Sequence, residues 1–120
     1  MITYLYKKGV FEVKLSGRIG FEEIINYLKD FSEIEDLPSD LQLLYDLGNV
    51  EFEFTMAEVK MISHAAELST KSYKSVKTAF IVNKPKVTAY SSLFSESALD
   101  KRTTRKIFSS REAALKWLDS

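Results

Sequence analysis

Residues 41–62 read LQLLYDLGNVEFEFTMAEVKMI: an apolar run, a short connection, and an amphipathic stretch. Leu41, Leu43, Leu44, Tyr45 and Leu47 are almost continuous in hydrophobicity. A strand reads this way when both of its faces are covered, as in the middle of a parallel or mixed sheet. The stretch after it opens on Thr55-Met56-Ala57-Glu58, the pattern of a capping box. The Thr55 hydroxyl accepts from the Glu58 N–H while the Glu58 carboxylate accepts from the Thr55 N–H. The reading predicts a strand ending near Leu47, an exposed loop over residues 48–55, and a helix from Thr55 to about Thr70. Strand, loop and capped helix together make a site of presentation.

Working outward, Ile2–Tyr6 and Val10–Leu15 are strands joined by Lys7-Lys8-Gly9, a hairpin signal. Phe11, Val13 and Leu15 alternate with Glu12 and Lys14, so one face of that strand is covered. Phe21, Ile24, Ile25 and Leu28 fall at the spacing of a core-facing stripe and predict a helix from about Gly20 to Phe31. An acidic connection, Glu33–Asp40, is kept non-helical by Pro38. Beyond the central segment, Ser75–Val82 is a strand, and Val87, Tyr90, Phe94 and Ala98 mark a weaker, serine-rich helix. The run Lys101–Lys106 reads as a solvated basic loop leading into a short strand ending at Phe108. Ser109-Ser110-Arg111-Glu112 looks like a second capping box, opening a helix that packs through Ala114, Trp117 and Leu118. The order is ββαβαβαβα, which places the chain in the α/β class. A mixed sheet is expected, with an N-terminal hairpin and parallel strands joined by right-handed helical crossovers.

The 120 residues are expected to form one domain over 1–120, enough to bury about two-thirds of the unfolded surface. With 45% hydrophobic and 28% charged residues the composition is that of a soluble globular chain. Without cysteine there are no disulfides or thiolate metal sites, and a cytoplasmic location is expected. Residues 1–20 lack the features of a signal peptide, and no apolar run has the length of a membrane span. Residues 1–60 carry 6 Lys/Arg against 12 Asp/Glu, and residues 61–120 carry 11 against 5, so a net charge of 0 hides halves of −6 and +6. Either the halves stay apart and make a charge dipole, or they interleave, as parallel sheets usually arrange.

Catalytic and metal chemistry find no purchase. His64 is the only histidine, without an HExxH or a second histidine, and reads as a surface or interface residue. Ser91, Ser92, Ser95 and Ser97 have no GxSxG context. Gly17-Arg18-Ile19-Gly20 is neither a P-loop nor a dinucleotide fingerprint. No cofactor and no metal are called for. Asp46, Gly48 and Asn49 lie at the end of the central strand, where open α/β sheets often bind ligands, although Asp46 capping the Gly48 N–H is the more ordinary role. The basic run lacks interleaved aromatics, which argues against nucleic acid but leaves peripheral membrane contact open.

The 55–70 helix carries two stripes. Met56, Val59, Ile62 and Ala66 have core spacing. Ala57, Met61, His64 and Leu68 run along roughly the opposite side, where a surface helix should be polar. Phe54, just ahead of the cap, would extend that second stripe.

Residues Tyr45-Asp46-Leu47-Gly48-Asn49-Val50-Glu51-Phe52 resemble the STAS family of anti-sigma factor antagonists and sulfate-transporter tails. In that family an apolar strand ends in Asp-Leu-Ser and a loop leads to Asp-Ser-Ser-Gly at a helix start. Glu112-Ala113-Ala114-Leu115-Lys116-Trp117-Leu118 resembles the close of a stand-alone STAS/SEC14-like branch. The resemblance implies a STAS-like fold over nearly the whole chain. It sets Thr55 at the phosphorylatable position, with Phe54 and Met56-Ala57 replacing the residues around it. It also implies a non-enzymatic regulatory module that binds a protein partner, or a second copy, through residues 48–55 and the 55–70 helix. The alternative, from the SEC14 likeness, is a small carrier of an apolar ligand held between helices and sheet.

Overall fold

A computed structural model describes residues 1–120. Its elements are β1 (Ile2–Lys7), β2 (Val10–Gly20), α1 (Phe21–Ser32), β3 (Asp40–Glu53), α2 (Met56–Ser69), β4 (Ser75–Ile81), α3 (Pro85–Glu96), β5 (Thr103–Phe108) and α4 (Arg111–Leu118). The order is the predicted ββαβαβαβα. β1 pairs antiparallel to β2, and β2 to β5 are mutually parallel. The hairpin closes through Lys8 and Gly9, both at positive φ (52° and 84°), which matches the twist of the flanking strands.

The five strands lie in chain order, β1-β2-β3-β4-β5. Each crossover therefore steps in the same direction, and right-handed crossovers then put α1, α2 and α3 on one face, packed side by side. α4 covers β4, β5 and part of β3 on the opposite face. Two consequences correct the sequence reading. The acidic and basic halves of the chain do not interleave, because the sheet never doubles back, so the asymmetry between residues 1–60 and 61–120 persists in space. The sheet also lacks a strand-order reversal, the feature that makes a ligand crevice in doubly wound folds.

β3 is twice as long as its apolar run. Between Lys14 and Ser16 of β2, the facing stretch of β3 goes from Asp46 to Asn49, one residue more. This bulge shifts the alternation, so that Leu41 and Leu43 before it, Leu47 within it, and Val50 and Phe52 after it all reach the same core. The expected loop over 48–55 is thus mostly strand, and only Phe54 and Thr55 separate β3 from α2. β2 likewise continues through Gly17, which sits at φ 73°, to Gly20.

The core under α1–α3 contains 20 buried residues, and a second cluster of five (Val10, Leu44, Ala79, Ala114 and Leu118) lies under α4. The helix ends differ from expectation in two places. Ser110, not Ser109, caps α4, its Oγ accepting from Ala113 N at 3.2 Å, because the chain turns helical one residue later than the Ser-x-x-Glu pattern implies. Ala98 lies beyond α3, which ends at Glu96 in a run of serines with poor helix propensity.

Candidate functional site

α2 is the element on which the candidate residues meet. Thr55 caps it as a full capping box: Glu58 N donates to Thr55 Oγ1 at 3.2 Å, and Thr55 N donates to Glu58 Oε1 at 2.8 Å. Along the helix, Val59, Ile62 and Ser63 are buried against the sheet. Met56, at the first position of α2, does not join them but is exposed. Ala57, Met61, His64 and Leu68 all face out, with Met61 57% and Leu68 55% exposed. Neither α3 nor α4 covers them.

Phe54 goes the other way. It is half-buried, its ring 4.8 Å from that of Phe52 and stacked at 5.4 Å on Tyr90, and Tyr90 Oη donates to its carbonyl at 2.8 Å. It therefore ties α3 to the β3–α2 turn instead of lengthening the exposed strip. Asp46, Gly48 and Asn49 are not part of the strip either. Asp46 Oδ1 accepts from Gly48 N at 3.0 Å and so caps the bulge. A Cβ on Gly48 would lie 3.3 Å from that oxygen, which is why the smallest residue stands there.

Beneath α2 lies a cavity with about 100 Å³ of space open to the centre of a water molecule. Of its 21 lining residues 16 are hydrophobic. The polar ones are Thr70, Thr78, Ser91, Thr103 and Arg105, joined by the hydroxyls of Tyr27 and Tyr45, which hydrogen-bond each other at 2.9 Å. Burial pushes the Tyr45 hydroxyl up to about 12, with smaller opposing contributions from the Tyr27 hydrogen bond and Arg105. Tyr27 is raised too, by burial first and then by Tyr45. The pair is neutral at physiological pH.

The basic run 101–106 is not a solvated loop. Strand alternation sends Thr103, Arg105 and Ile107 of β5 toward α3 and its neighbours. Arg105 Nη1 donates to Ser63 Oγ (2.6 Å) and to Phe94 O (2.8 Å), and its guanidinium carbon sits 4.0 Å over the Phe94 ring. Burial lowers the Arg105 pKa from its ordinary value, partly offset by Glu67 and Tyr45, and the group stays charged. Arg102 closes the C-terminal end of α2, donating to the carbonyls of Thr70 (2.7 Å) and Tyr73 (2.9 Å) while paired with Asp100 at 2.6 Å. Only Lys101, Thr104 and Lys106 of the run are exposed. The space between helices and sheet is where the carrier alternative put its ligand, but the inward turn of Arg105 escaped the sequence reading; its one signal was the parity it shares with Ile107.

No family model matches the chain, and no curated protein matches it in sequence. Solved structures do match. An uncharacterized protein of the DUF3478 family with a SpoIIAA-like fold, from Shewanella loihica PV-4, superposes with a TM-score of 0.61 at 15% identity, over 98% of this chain and 92% of that one. The Bacillus cell fate determinant SpoIIAA, in its phosphorylated form, superposes with a TM-score of 0.52 at 11% identity, over 98% and 99%. Sheet order, crossovers and nearly full coverage agree on one conclusion: the chain has a SpoIIAA-like, STAS-type fold.

Proposed function

We propose that the protein is a non-enzymatic regulatory module of the anti-sigma factor antagonist type, which binds a protein partner through the outer strip of α2. The observation that carries this is the exposure of Ala57, Met61, His64 and Leu68 along one side of a helix whose other side is already seated on the sheet. An apolar strip left open on a small domain marks an interaction surface, and methionine suits an adaptable one. A second copy of the chain is the first partner to test, since symmetric dimers are the commonest assemblies. The matched SpoIIAA structure is a phosphorylated form, but here Thr55 serves its helix as cap. Phosphate on it would meet the Glu58 carboxylate that completes the capping box. Thr55 is accordingly read as structural and not as a switch.

The test is Met61→Glu combined with Leu68→Glu, followed by light scattering, partner pull-down and circular dichroism. A folded variant that has lost self-association or partner capture supports the reading. A variant that unfolds, or that still associates like the wild type, overturns it. The carrier reading keeps one specific observation in its favour, the apolar cavity behind α2.

A further inference from the structure

We infer that the cavity is a binding site for a small amphipathic carboxylate, its apolar body lying between α2 and the sheet and its carboxylate on the free edge of Arg105. This stands on the cavity alone and is independent of whether α2 docks a protein.

Charge comes first. Arg105 is a largely buried cation at the cavity wall, and no carboxylate lies within ion-pair distance of it; the ion pairs of the molecule involve Met1, Arg18, Arg102 and Arg111. Buried charges are ordinarily matched by an opposite charge. Glu67, the acid whose charge reaches Arg105, is engaged elsewhere, its Oε1 accepting from the backbone N–H groups of Leu99 and Asp100 at 2.7 and 2.9 Å.

Geometry comes second. The two short hydrogen bonds of Arg105 both use Nη1, and Nη2 makes only a 3.5 Å contact with Ser63 O. The Nε–Nη2 edge, the side of the fork that receives a carboxylate through two parallel bonds, is left without a short partner. Two residues away on the same face of β5, Thr103 Oγ1 is buried with no hydrogen bond, and Thr103 also lines the cavity. Arg105, with a donor edge that lacks a short partner, and the orphaned Thr103 hydroxyl thus both line one largely apolar space.

Size comes third. About 100 Å³ open to the centres of water-sized groups is room for several such groups, which suits a short single-chain acid better than a two-chain lipid. Water filling the same space would have few partners along 16 hydrophobic residues, whereas an acid with an apolar body satisfies both ends.

The probe pair is octanoate and 1-octanol, matched in length and differing in the charge, titrated into the intact protein by calorimetry below their aggregation limits. The wild type should bind octanoate at least roughly tenfold more tightly than octanol, since hydrogen bonds to charged groups are the strong ones. Arg105→Met should remove that preference, so that the two probes bind alike. Should Arg105→Met fail to fold by circular dichroism, Arg105→Lys carries the same test: it keeps the charge, loses the fork, and should narrow the preference for octanoate over octanol severalfold. Ala66→Leu, which adds volume at the α2 wall of the cavity and leaves Arg105 unsubstituted, should weaken or abolish binding of both. Equal affinity for the two probes in the wild type, an undiminished octanoate preference in the arginine variants, or binding undiminished by Ala66→Leu would each overturn the assignment. Absence of binding by both probes would overturn it as well.

Discussion

The two faces of the sheet use the same strands in opposite ways. Under α4, Ala79 and Ala114 are fully buried and Leu44 and Leu118 nearly so, in a cluster of five with no polar member. Polar groups at its margin are satisfied: Lys77 donates to Trp117 O at 2.8 Å and lies 4.7 Å from the Trp117 ring centre, and Gln42 donates to Leu118 O at 2.6 Å. Under α1–α3 the core is four times larger, yet it encloses a cavity, a tyrosine pair, an orphaned threonine hydroxyl and a guanidinium with an open edge. Close packing gives stability, and the open space on the α4 side is a hollow at the rim of the cluster, of about 280 Å³ and lined largely by polar residues such as Lys7, Glu12, Arg111 and Asp119. The helical face departs from close packing at the spot where α2 is both the cavity's wall and the bearer of an exposed apolar strip. One face is filled to hold the fold together, and the other carries the features on which the proposed binding rests.

The sharpest way to strain that contrast is to delete volume from the packed face. Leu118→Ala should cost about 3 kcal/mol in urea unfolding, as large-to-small changes do where the surroundings cannot collapse. A loss below about 1 kcal/mol would mean that α4 is loosely held. The converse experiment adds volume to both faces. Ala114→Leu has no space to enter and should cost roughly 1–3 kcal/mol, whereas Ala66→Leu points into the cavity and should be neutral or stabilising. Equal losses in the two variants would remove the distinction between the faces.

A third effect belongs to the helical face alone. Tyr45 is held at about 12 and Tyr27 is also raised, both by burial, while a tyrosine in the unfolded chain ionises near about 10. As pH climbs, the unfolded state loses its protons first. Stability is therefore intact below about pH 10 and falls from there toward about pH 12 by roughly 1.4 kcal/mol per pH unit for Tyr45, with Tyr27 acting in the same direction. Urea midpoints at pH 9 and 11 should separate, and Tyr27→Phe with Tyr45→Phe should bring them closer. The smallest effect is at the cap: Thr55→Ala should cost about 1 kcal/mol, read from the same unfolding curves. No loss, or phosphate found on Thr55 in protein from its native cell, would displace the structural role given to that residue.

The features legible in the sequence were those set by local chemistry. The Thr55–Glu58 capping box, the alternation of Phe11, Val13 and Leu15, and the Lys8-Gly9 turn each follow from neighbours within a few residues. The element order followed from them, and the STAS likeness from the order together with residues 45–52. What stayed hidden depended on register and direction. The extra residue of β3 between Asp46 and Asn49 appears only once the strand is set against β2, so residues 48–53 looked like a loop. Phe54 looked like part of the strip because nothing in its own stretch reports Tyr90, 36 positions away. The basic run looked solvated because its composition outweighed its parity, which turns Arg105 inward and leaves Lys106 outside. Whether the oppositely charged halves mix was a matter of crossover direction, which the sequence pattern does not encode.

The central claim is that the helical face binds and the α4 face does not, and a residue-resolved titration tests it most directly. Octanoate added to isotopically labelled protein, followed by amide chemical shifts, should move residues of α2, the last turn of α3, and Thr103 to Arg105 of β5. Residues 111–118 of α4 should stay still. Shifts centred on α4, or none at any residue up to millimolar octanoate, would contradict the account.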